Sequence, residues 1–261
     1  MAFTIAAWNV NSILARLPVA LAVLKELSPD VVCLQEIKCE DARFPRLEIE
    51  DLGYNVETFG QKSYNGVALL SKHRIEEPIR GLPNFPHDQS RYLEALIDAP
   101  SGPVRVASLY APNGNPIGTE KFTLKMDFMD ALTEHARGFL KLEEKFAIAG
   151  DYNIIARDED CDDPPSWAGD ALFTPEAKSK YRALLNLGLV DAFMQADGRA
   201  KQYTFWDYQA GAWRRNHGIR IDFVMLSPQA ADKLDGFHIH KDARAMEKAS
   251  DHVPVVATLR D

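Results

Sequence analysis

The sequence has few cysteines and no long apolar run. Its 261 residues include three cysteines, Cys33, Cys39 and Cys161, and no CxxC pair. An odd number of widely spaced cysteines does not form a disulfide framework, so we expect a reducing compartment, and we predict a cytoplasmic protein. No segment approaches the ~18–20 apolar residues that span a bilayer, and the first residues lack the features of a signal peptide. We therefore expect no membrane partner.

Positive charge is also in deficit, which excludes a simple polybasic coat for nucleic acid. Thirty Lys and Arg against 38 Asp and Glu give a formal net charge of −8, whereas such binders need a positive surface. An enzyme with a local basic groove and a cluster of metal-binding carboxylates remains compatible with this charge. Hydrophobic residues make up 46% of the chain, enough for a large core. No linker composition divides the chain, so one domain over residues 1–261 is predicted.

Two frequent catalytic signatures are absent. The chain has no glycine-rich phosphate loop with an adjoining lysine, which disfavours a P-loop NTPase. It also lacks the Gly-x-Ser-x-Gly nucleophile elbow of the α/β hydrolases. The chemistry must therefore be sought in other residues.

Short apolar runs alternate with helical periodicity along the chain, which predicts a layered α/β protein. Phe122, Met126 and Met129 are spaced by four and three, as on one face of a long helix. Alternation in Tyr92–Ile97 favours a mixed or antiparallel sheet with one solvated face. Strands are predicted over Phe3–Trp8, Val31–Leu34, Val67–Leu70, Arg91–Asp98, Val104–Leu109, Phe146–Ala149, Ile221–Leu226 and Val253–Leu259, and helices over 18–27, 122–140 and 174–187.

Polar side chains stand where these predicted strands begin or end. Ligands bind at such positions in layered α/β proteins, because loops converge there on a rigid scaffold. Each one alone has a simpler explanation: Asn9 or Asn113 as a turn residue, Glu36 as a solvated carboxylate, and Asp251-His252 as the cap of a sheet edge. The segments are Trp8-Asn9-Val10-Asn11, Gln35-Glu36-Ile37-Lys38, Tyr110-Ala111-Pro112-Asn113, Gly150-Asp151-Tyr152-Asn153, Asp222 and Ser250-Asp251-His252.

Taken together, these residues form an oxygen-rich set that suits a hard divalent cation. Glu36, Asp151 and Asp251 supply carboxylates, and Asn9 and Asn153 supply amides. Such ligands favour Mg²⁺ or Mn²⁺ over zinc, which prefers histidine and cysteine. A divalent ion with acids, one histidine and one tyrosine is typical of phosphate ester hydrolysis. In such a site a histidine paired with an aspartate can stay protonated and bind a phosphate oxygen.

The ordered set of motifs resembles the exonuclease III-type abasic-site endonucleases of the endonuclease/exonuclease/phosphatase superfamily. The resemblance runs from Phe3 to Leu259. Besides the strand-end segments it includes Gly53-Tyr54-Asn55, Gly66-Val67-Ala68-Leu69-Leu70, Leu187-Gly188-Leu189-Val190-Asp191 and Arg220-Ile221-Asp222. It implies a four-layer α/β sandwich, two mixed β-sheets packed together with helices on the outer faces. It also implies Mg²⁺-dependent incision of double-stranded DNA 5′ to abasic sites, with 3′-to-5′ exonuclease, 3′-phosphatase and 3′-phosphodiesterase activity in DNA repair, and Mn²⁺ as a substitute.

The resemblance also implies roles for the strand-end residues. Glu36 is the chief metal ligand, Asp151 activates or orients the attacking water, and Asn153 positions that water. His252 binds the scissile phosphate and is oriented by Asp222, while Tyr110 lies against the phosphate or the leaving group. The full expected metal set is Asn9, Glu36, Asp151, Asn153, Asp251 and His252, with Asn11 and Lys38 supporting it.

The DNA-facing residues follow from the resemblance in the same way. Phe205 and Trp206 match an aromatic pair that lines the pocket for a flipped-out abasic sugar, with Ile219 and Ile221 beside it. The alternative for this pair is a place in the core. Arg214, Arg215, His217 and Arg220 form a basic run suited to the DNA backbone, or else a solvated charged loop. Arg91 and Asn113 are expected phosphate contacts. No obligate protein partner is evident, and a monomer is expected.

Three rival functions share part of this evidence. A 3′-end-cleaning enzyme without strong abasic endonuclease activity, or a phosphatase of small phosphoesters, would keep the fold and the metal residues. A catalytically silent binding module would keep only the scaffold. The acidic, proline-rich loop over residues 157–170 departs from what DNA contact requires, so it points away from DNA or sets the balance among the activities.

Overall fold

Two β-sheets lie face to face, with helices on their outer surfaces. The computed structural model describes residues 2–260, and within them each sheet has six strands. The strands are β1 Ala2–Asn9, β2 Val31–Gln35, β3 Asn55–Phe59, β4 Val67–Ser71, β5 Ile75–Arg80, β6 Tyr92–Ile97, β7 Val104–Tyr110, β8 Phe146–Asp151, β9 Val190–Asp191, β10 Asp222–Leu226, β11 Leu234–Ile239 and β12 Val255–Arg260. The helices are α1 Leu17–Leu27, α2 Arg46–Glu50, α3 Glu120–Leu140, α4 Pro175–Asn186, α5 Ala192–Ala196, α6 Ala212–Arg215 and α7 Pro228–Ala231.

Each sheet is mixed and contains one parallel pair near its centre. The strand orders are β11-β12-β1-β2-β4-β3 and β5-β6-β7-β8-β10-β9. In the first sheet β1 runs parallel to β2, and in the second β7 runs parallel to β8. The carboxyl ends of these four strands therefore emerge in pairs, one pair from each sheet. The predicted four-layer α/β sandwich with two mixed sheets is confirmed.

The core between the sheets is built by alternate residues of the strands. Phe3, Ile5 and Ala7 of β1 point inward, as do Ala147 and Ala149 of β8. Because side chains alternate with a period of two, the next inward position is Asn9 in β1 and Asp151 in β8. The apolar interior thus ends in polar residues at one edge of the sandwich, and that edge carries the candidate site.

Amphipathic helices cover the outer faces of the two sheets. α1 packs Val19, Ala20 and Val23 onto the outward residues of the first sheet. α3 and α4 cover the second sheet, with Met129 and Leu132 of α3 fully buried there. The predicted helices over 18–27, 122–140 and 174–187 correspond to α1, α3 and α4, with ends shifted by one or two residues. Within residues 2–260, no helix combines the length and apolarity needed to cross a bilayer.

The four edge strands, β3, β5, β9 and β11, were not predicted from the sequence. An edge strand pairs on one side only and leaves more of its side chains in water, so its apolar alternation is weak. β5 contains the sequence Glu76-Glu77-Pro78, and its residues are half-buried or exposed. The assignment of the whole chain to one domain stays a prediction.

Candidate active site

The Asn9 side chain bridges two carboxylates, Glu36 and Asp151, at the polar edge of the sandwich. Its amide Nδ2 donates to Glu36 Oε1 at 2.8 Å and to Asp151 Oδ2 at 3.0 Å. Its Oδ1 accepts the backbone N–H of Asn11 at 3.0 Å, which fixes the orientation of the amide. The nitrogen therefore faces the carboxylates. The role of Asn9 as a metal ligand stays a prediction: its Oδ1 keeps a second lone pair, although that oxygen faces the Asn11 backbone.

Glu36, Asp151 and His252 form a group that could hold a metal ion. One potential ligand atom from each lies within 4.8 Å of the others. Glu36 stands just past β2 with a left-handed backbone, φ +49°, a conformation that costs a non-glycine residue about 1–2 kcal/mol. This turn takes Glu36 out of the alternation of β2, and its carboxylate meets Asp151 from the other sheet.

Lys38 and Asn11 tie Glu36 to Asp251. Lys38 Nζ lies 2.8 Å from Glu36 Oε2 and donates to Asn11 Oδ1 at 2.6 Å. Asn11 Nδ2 in turn donates to Asp251 Oδ1 at 3.0 Å. Burial acts to raise the pKa of Glu36, but the Lys38 ammonium and the Asn9 amide outweigh it and hold that pKa below its ordinary value. Glu36 is therefore an anion at neutral pH.

His252 is held as a cation by Asp222. Its Nδ1 lies 3.0 Å from Asp222 Oδ2, and that oxygen also accepts the Thr204 hydroxyl at 2.5 Å. Burial would lower the pKa of His252, but the Asp222 carboxylate raises it to about 10. A protonated imidazole has no free lone pair, so His252 would bind a metal ion only in its neutral form, and its place among the metal ligands stays a prediction. Its Nε2–H points toward Asp151 Oδ2, 3.8 Å away, and can donate to an anion.

Asp151 is fully buried, and this burial raises its pKa to about 7, although the His252 cation acts in the opposite direction. Its Oδ1 accepts the backbone N–H of Asn153 at 2.8 Å. Asn153 Nδ2 donates to Ala111 O at 2.9 Å, and Asn113 Nδ2 lies 3.4 Å from Asn153 Oδ1. A carboxylate with a pKa near neutrality can exchange a proton with water at physiological pH.

Tyr110 ends β7 directly beside Asp151 in the register of the sheet. The Arg91 guanidinium lies 4.7 Å from the centroid of its ring. Burial, together with the nearby Glu36 carboxylate, raises the pKa of the Tyr110 hydroxyl well above its ordinary value. Tyr110 is thus a neutral hydrogen-bonding group next to a cationic side chain.

Glu36, Tyr110, Asp151, Asn153 and His252 line an open cleft of about 260 Å³. A wall of apolar side chains lines it as well, and so do Asp170, Asp207 and Asn115. The ring of Phe205 meets the ring of His252 edge-on, with 4.9 Å between centroids. The wall thus begins directly beside the imidazolium. Its members are Trp167, Leu172, Phe205, Ile219 and Ile221.

Two residues predicted to face DNA do not do so. Trp206 is fully buried, and its ring packs against Tyr203 and Trp213, so this half of the aromatic pair belongs to the core. Arg220 is also fully buried, with Nη1 2.8 Å from Asp191 Oδ2 and Nη2 2.9 Å from Asp160 Oδ2. Three of its five N–H donors bind these two carboxylates, and its burial keeps the guanidinium from a phosphate in the cleft. Arg214 and Arg215 are exposed and do not line the cleft.

Sequence reasoning missed five residues of the cleft: Asn115, Trp167, Asp170, Leu172 and Asp207. Trp167 and Asp170 belong to the acidic 157–170 loop, so this loop turns inward at its end and does not point wholly away. Asn115 Nδ2 donates to both oxygens of Asp170, at 3.1 and 3.2 Å. The sequence did contain a signal for Trp167, which stands among prolines and acidic residues. A large aromatic side chain in a polar loop usually packs against other residues of the protein.

Comparison with known proteins agrees with this geometry. Residues 6–252 match the Endonuclease/Exonuclease/phosphatase family, and the chain belongs to that family. It is 34% identical to exodeoxyribonuclease III of Haemophilus influenzae over 97% of this chain and 98% of that protein. Its structure is similar to an AP endonuclease from Archaeoglobus fulgidus (TM-score 0.93, 32% identity, 98% and 99% of the chains). It is similar as well to the 3′ phosphatase NExo from Neisseria bound to a product DNA hairpin (TM-score 0.95, 34% identity, 99% and 100% of the chains).

These similarities confirm the predicted family and the prediction of a nuclease-type hydrolase related to exonuclease III. Two of the relatives have different activities in their names, abasic-site endonuclease and 3′ phosphatase. The choice between the two predicted activities therefore has to be argued from the residues of this cleft.

Proposed function

We propose that the protein is a Mg²⁺-dependent DNA-repair phosphodiesterase that incises double-stranded DNA 5′ to abasic sites and clears blocked 3′ ends. One observation carries the proposal. Two carboxylates and an imidazolium stand together in a cleft that an apolar wall also lines. The charged side suits a phosphate, and the apolar side suits a deoxyribose that has lost its base. The supporting relatives act on DNA by name, and one is bound to a DNA product.

The carboxylate oxygens of Glu36 and Asp151 fit a hard divalent ion such as Mg²⁺, for which Mn²⁺ can substitute. Such an ion, when bound, neutralises charge on the phosphate and on the leaving oxygen. In the proposed reaction His252 Nε2–H donates to a nonbridging phosphate oxygen, and Asp222 keeps that proton in place. Asp151 accepts a proton from the attacking water, and Asn153 orients the water beside it.

The remaining residues hold the substrate in the proposed enzyme. The Tyr110 hydroxyl donates to the phosphate or the leaving group, and Arg91 and Asn113 bind the backbone at the adjoining rim. Phe205, Ile219 and Ile221 receive the flipped-out sugar. Asp251, bound to Asn11, holds the Glu36 network in position. Arg214 and Arg215 meet the duplex outside the cleft. The three buried free cysteines support a cytoplasmic location, and we propose a monomer without an obligate protein partner.

A second candidate, a 3′-end-cleaning enzyme with weak abasic endonuclease activity, is favoured by the 157–170 loop. This loop brings Trp167 and the Asp170 carboxylate to the cleft that would receive the sugar. A bulky ring and an anion there would restrict a flipped-out nucleotide while leaving room for a terminal phosphate. A phosphatase of small phosphoesters has no comparable observation in its favour, because the apolar wall would be without a role.

Cleavage of three duplex oligonucleotides in Mg²⁺ tests the proposal: one with an abasic-site analogue, one undamaged and one with a 3′-phosphate. We expect a single incision 5′ to the lesion and removal of the 3′-phosphate, both abolished by EDTA. Glu36→Gln should lower both activities by about 10²–10³-fold, as expected for loss of a group that organises transition-state charge. Glu40→Gln, on an exposed residue four positions away, serves as the control.

The outcomes separate the candidates. Removal of the 3′-phosphate without incision at the lesion favours the second candidate. Hydrolysis that survives EDTA contradicts the metal-dependent mechanism. Cleavage of small phosphate monoesters alone contradicts a role in DNA repair.

A further inference from the structure

A fully buried lysine lies beneath the candidate site. Lys125 sits in the second turn of α3, and its side chain has no exposed surface. Its Nζ donates to three backbone carbonyl oxygens, those of Asn153 at 2.6 Å, Ala171 at 2.9 Å and Asn113 at 3.0 Å. An ammonium group has three N–H donors, so all three of them are used. A buried lysine in a globular protein normally has an ionic partner, and here backbone carbonyls take that place.

The three carbonyls belong to three backbone segments of two loops beside the cleft. Asn113 lies in the loop between β7 and α3, while Asn153 and Ala171 lie near the two ends of the connection between β8 and α4. The side chains of Asn113 and Asn153 line the cleft, as does Leu172, the neighbour of Ala171. One side chain therefore holds the backbone of loops that reach both the phosphate side and the apolar wall.

The packing around the lysine stem is tight enough to transmit this constraint. A Cβ added to Gly114, which has φ +90°, would lie 2.6 Å from Lys125 Cδ and 3.3 Å from Ala171 Cβ. Such distances leave no room for a side chain, so the loop after Asn113 lies directly on the stem. Asn115 closes the arrangement, since its Oδ1 accepts the backbone N–H of Ala171 at 3.0 Å.

We infer that Lys125 is a positioning residue for phosphodiester hydrolysis, acting by fixing the three backbone segments that present Asn113, Asn153 and Leu172 to the substrate. This inference rests on the proposed function, since it assigns those side chains to a DNA substrate. Lys125 itself does not line the cleft and touches no reacting atom. Removing the Lys125 ammonium group would release the backbone at Asn153 and at the apolar wall together. The hydrogen bonds of Glu36 and His252 would stay in place.

Lys125→Met tests the inference, because it keeps the length of the stem and removes all three donors. Lys141→Met is the matched control: the same change just past the carboxyl end of α3, on an exposed side chain, about 24 Å along the helix axis. Amide hydrogen exchange should become faster in segments 113–115, 152–155 and 170–173 of Lys125→Met, and stay unchanged in Lys141→Met. Unchanged exchange in the three segments would overturn the inference whether or not the protein cleaves DNA.

A double-mutant cycle with Asn153→Ala distinguishes positioning from loss of stability. Well below the melting temperature, Lys125→Met should lower kcat for both DNA substrates by about 30–100-fold, with KM changed less. In the Asn153→Ala background the same change should cost less than about 3-fold, because residues that act through one another are not additive. Full additivity would overturn the inference. If Lys125→Met does not fold, Lys125→Arg, which keeps the cation but not the three converging donors, takes its place in both measurements.

Discussion

Asn9 and Asp151 belong to different sheets, and a 3.0 Å hydrogen bond from Asn9 Nδ2 to Asp151 Oδ2 joins them across the sandwich. Both continue the inward-facing row of their strands, β1 and β8, one position beyond the apolar core. Asn9 and Asp151 are therefore the polar end of the same alternation that builds the interior. Glu36 joins them through the turn after β2.

Binding of a metal ion should stabilise the fold. A ligand that binds only the folded state adds about 2.7 kcal/mol to the free energy of unfolding at a concentration of 100 Kd. We expect Mg²⁺ to raise the melting temperature measured by calorimetry, and EDTA to reverse the rise. Glu36→Gln should abolish the shift and Glu40→Gln should keep it. An equal shift in both variants would place the ion elsewhere.

Asp222→Asn should return the pKa of His252 toward its ordinary value of 6.5 from about 10, because it removes the carboxylate that stabilises the imidazolium. The folded-state pKa lies above the unfolded one, so the pair stabilises the fold below pH 6.5, and this contribution is lost as pH rises through about 10. The proposed activity should decline over the same range, and at lower pH in the variant. NMR titration of the imidazole in EDTA measures the pKa, with exposed Asp232→Asn as control. An unchanged His252 pKa in Asp222→Asn would contradict the argument.

Arg220→Ala should lower the free energy of unfolding by about 3–5 kcal/mol, since it leaves the buried carboxylates of Asp160 and Asp191 without their cation. Asp160 also retains Arg157, at 2.7 Å, which limits the loss on that side. Arg215→Ala, on an exposed residue, should change stability by no more than about 0.5 kcal/mol. Urea unfolding measures both. If both variants lose only a little stability, the buried network of Arg220 contributes little to the free energy of unfolding.

Trp167→Ala should lower incision at an abasic site at least about 10-fold and leave 3′-phosphate removal within about 3-fold, if the ring is part of the wall that receives the sugar. The 3′-phosphate reaction is the internal control for folding. Faster incision in the variant would instead mean that Trp167 obstructs the sugar. Phe205 is less suitable for this test, because its ring packs on His252 and its loss disturbs both reactions.

The sequence was sufficient for the interior strands and the main helices, because buried strands and long amphipathic helices have strong periodic signals. It also placed Glu36, Asp151 and His252 correctly at strand ends, where the structure brings them together. The edge strands were missed, since an exposed strand such as β5 has little apolar alternation.

Burial of individual polar residues was the harder problem. Arginine and tryptophan are residue types that DNA-binding surfaces often use, yet Arg220 and Trp206 are both enclosed by residues distant in sequence. Arg220, for example, is bound by Asp160. The orientation of the Asn9 amide likewise depends on one backbone N–H that no pattern of residues specifies. Lys125 was not singled out either, because a lysine on a helix is usually exposed.

The division of the carboxylates between the two sheets makes the reactive group a sensor of how the sheets pack. Glu36 follows a strand of the first sheet, Asp151 ends a strand of the second, and His252 precedes β12 of the first. The three side chains meet only where the sheets lie face to face. A change in the apolar core that shifts one sheet against the other therefore alters the spacing of these groups without touching any of them.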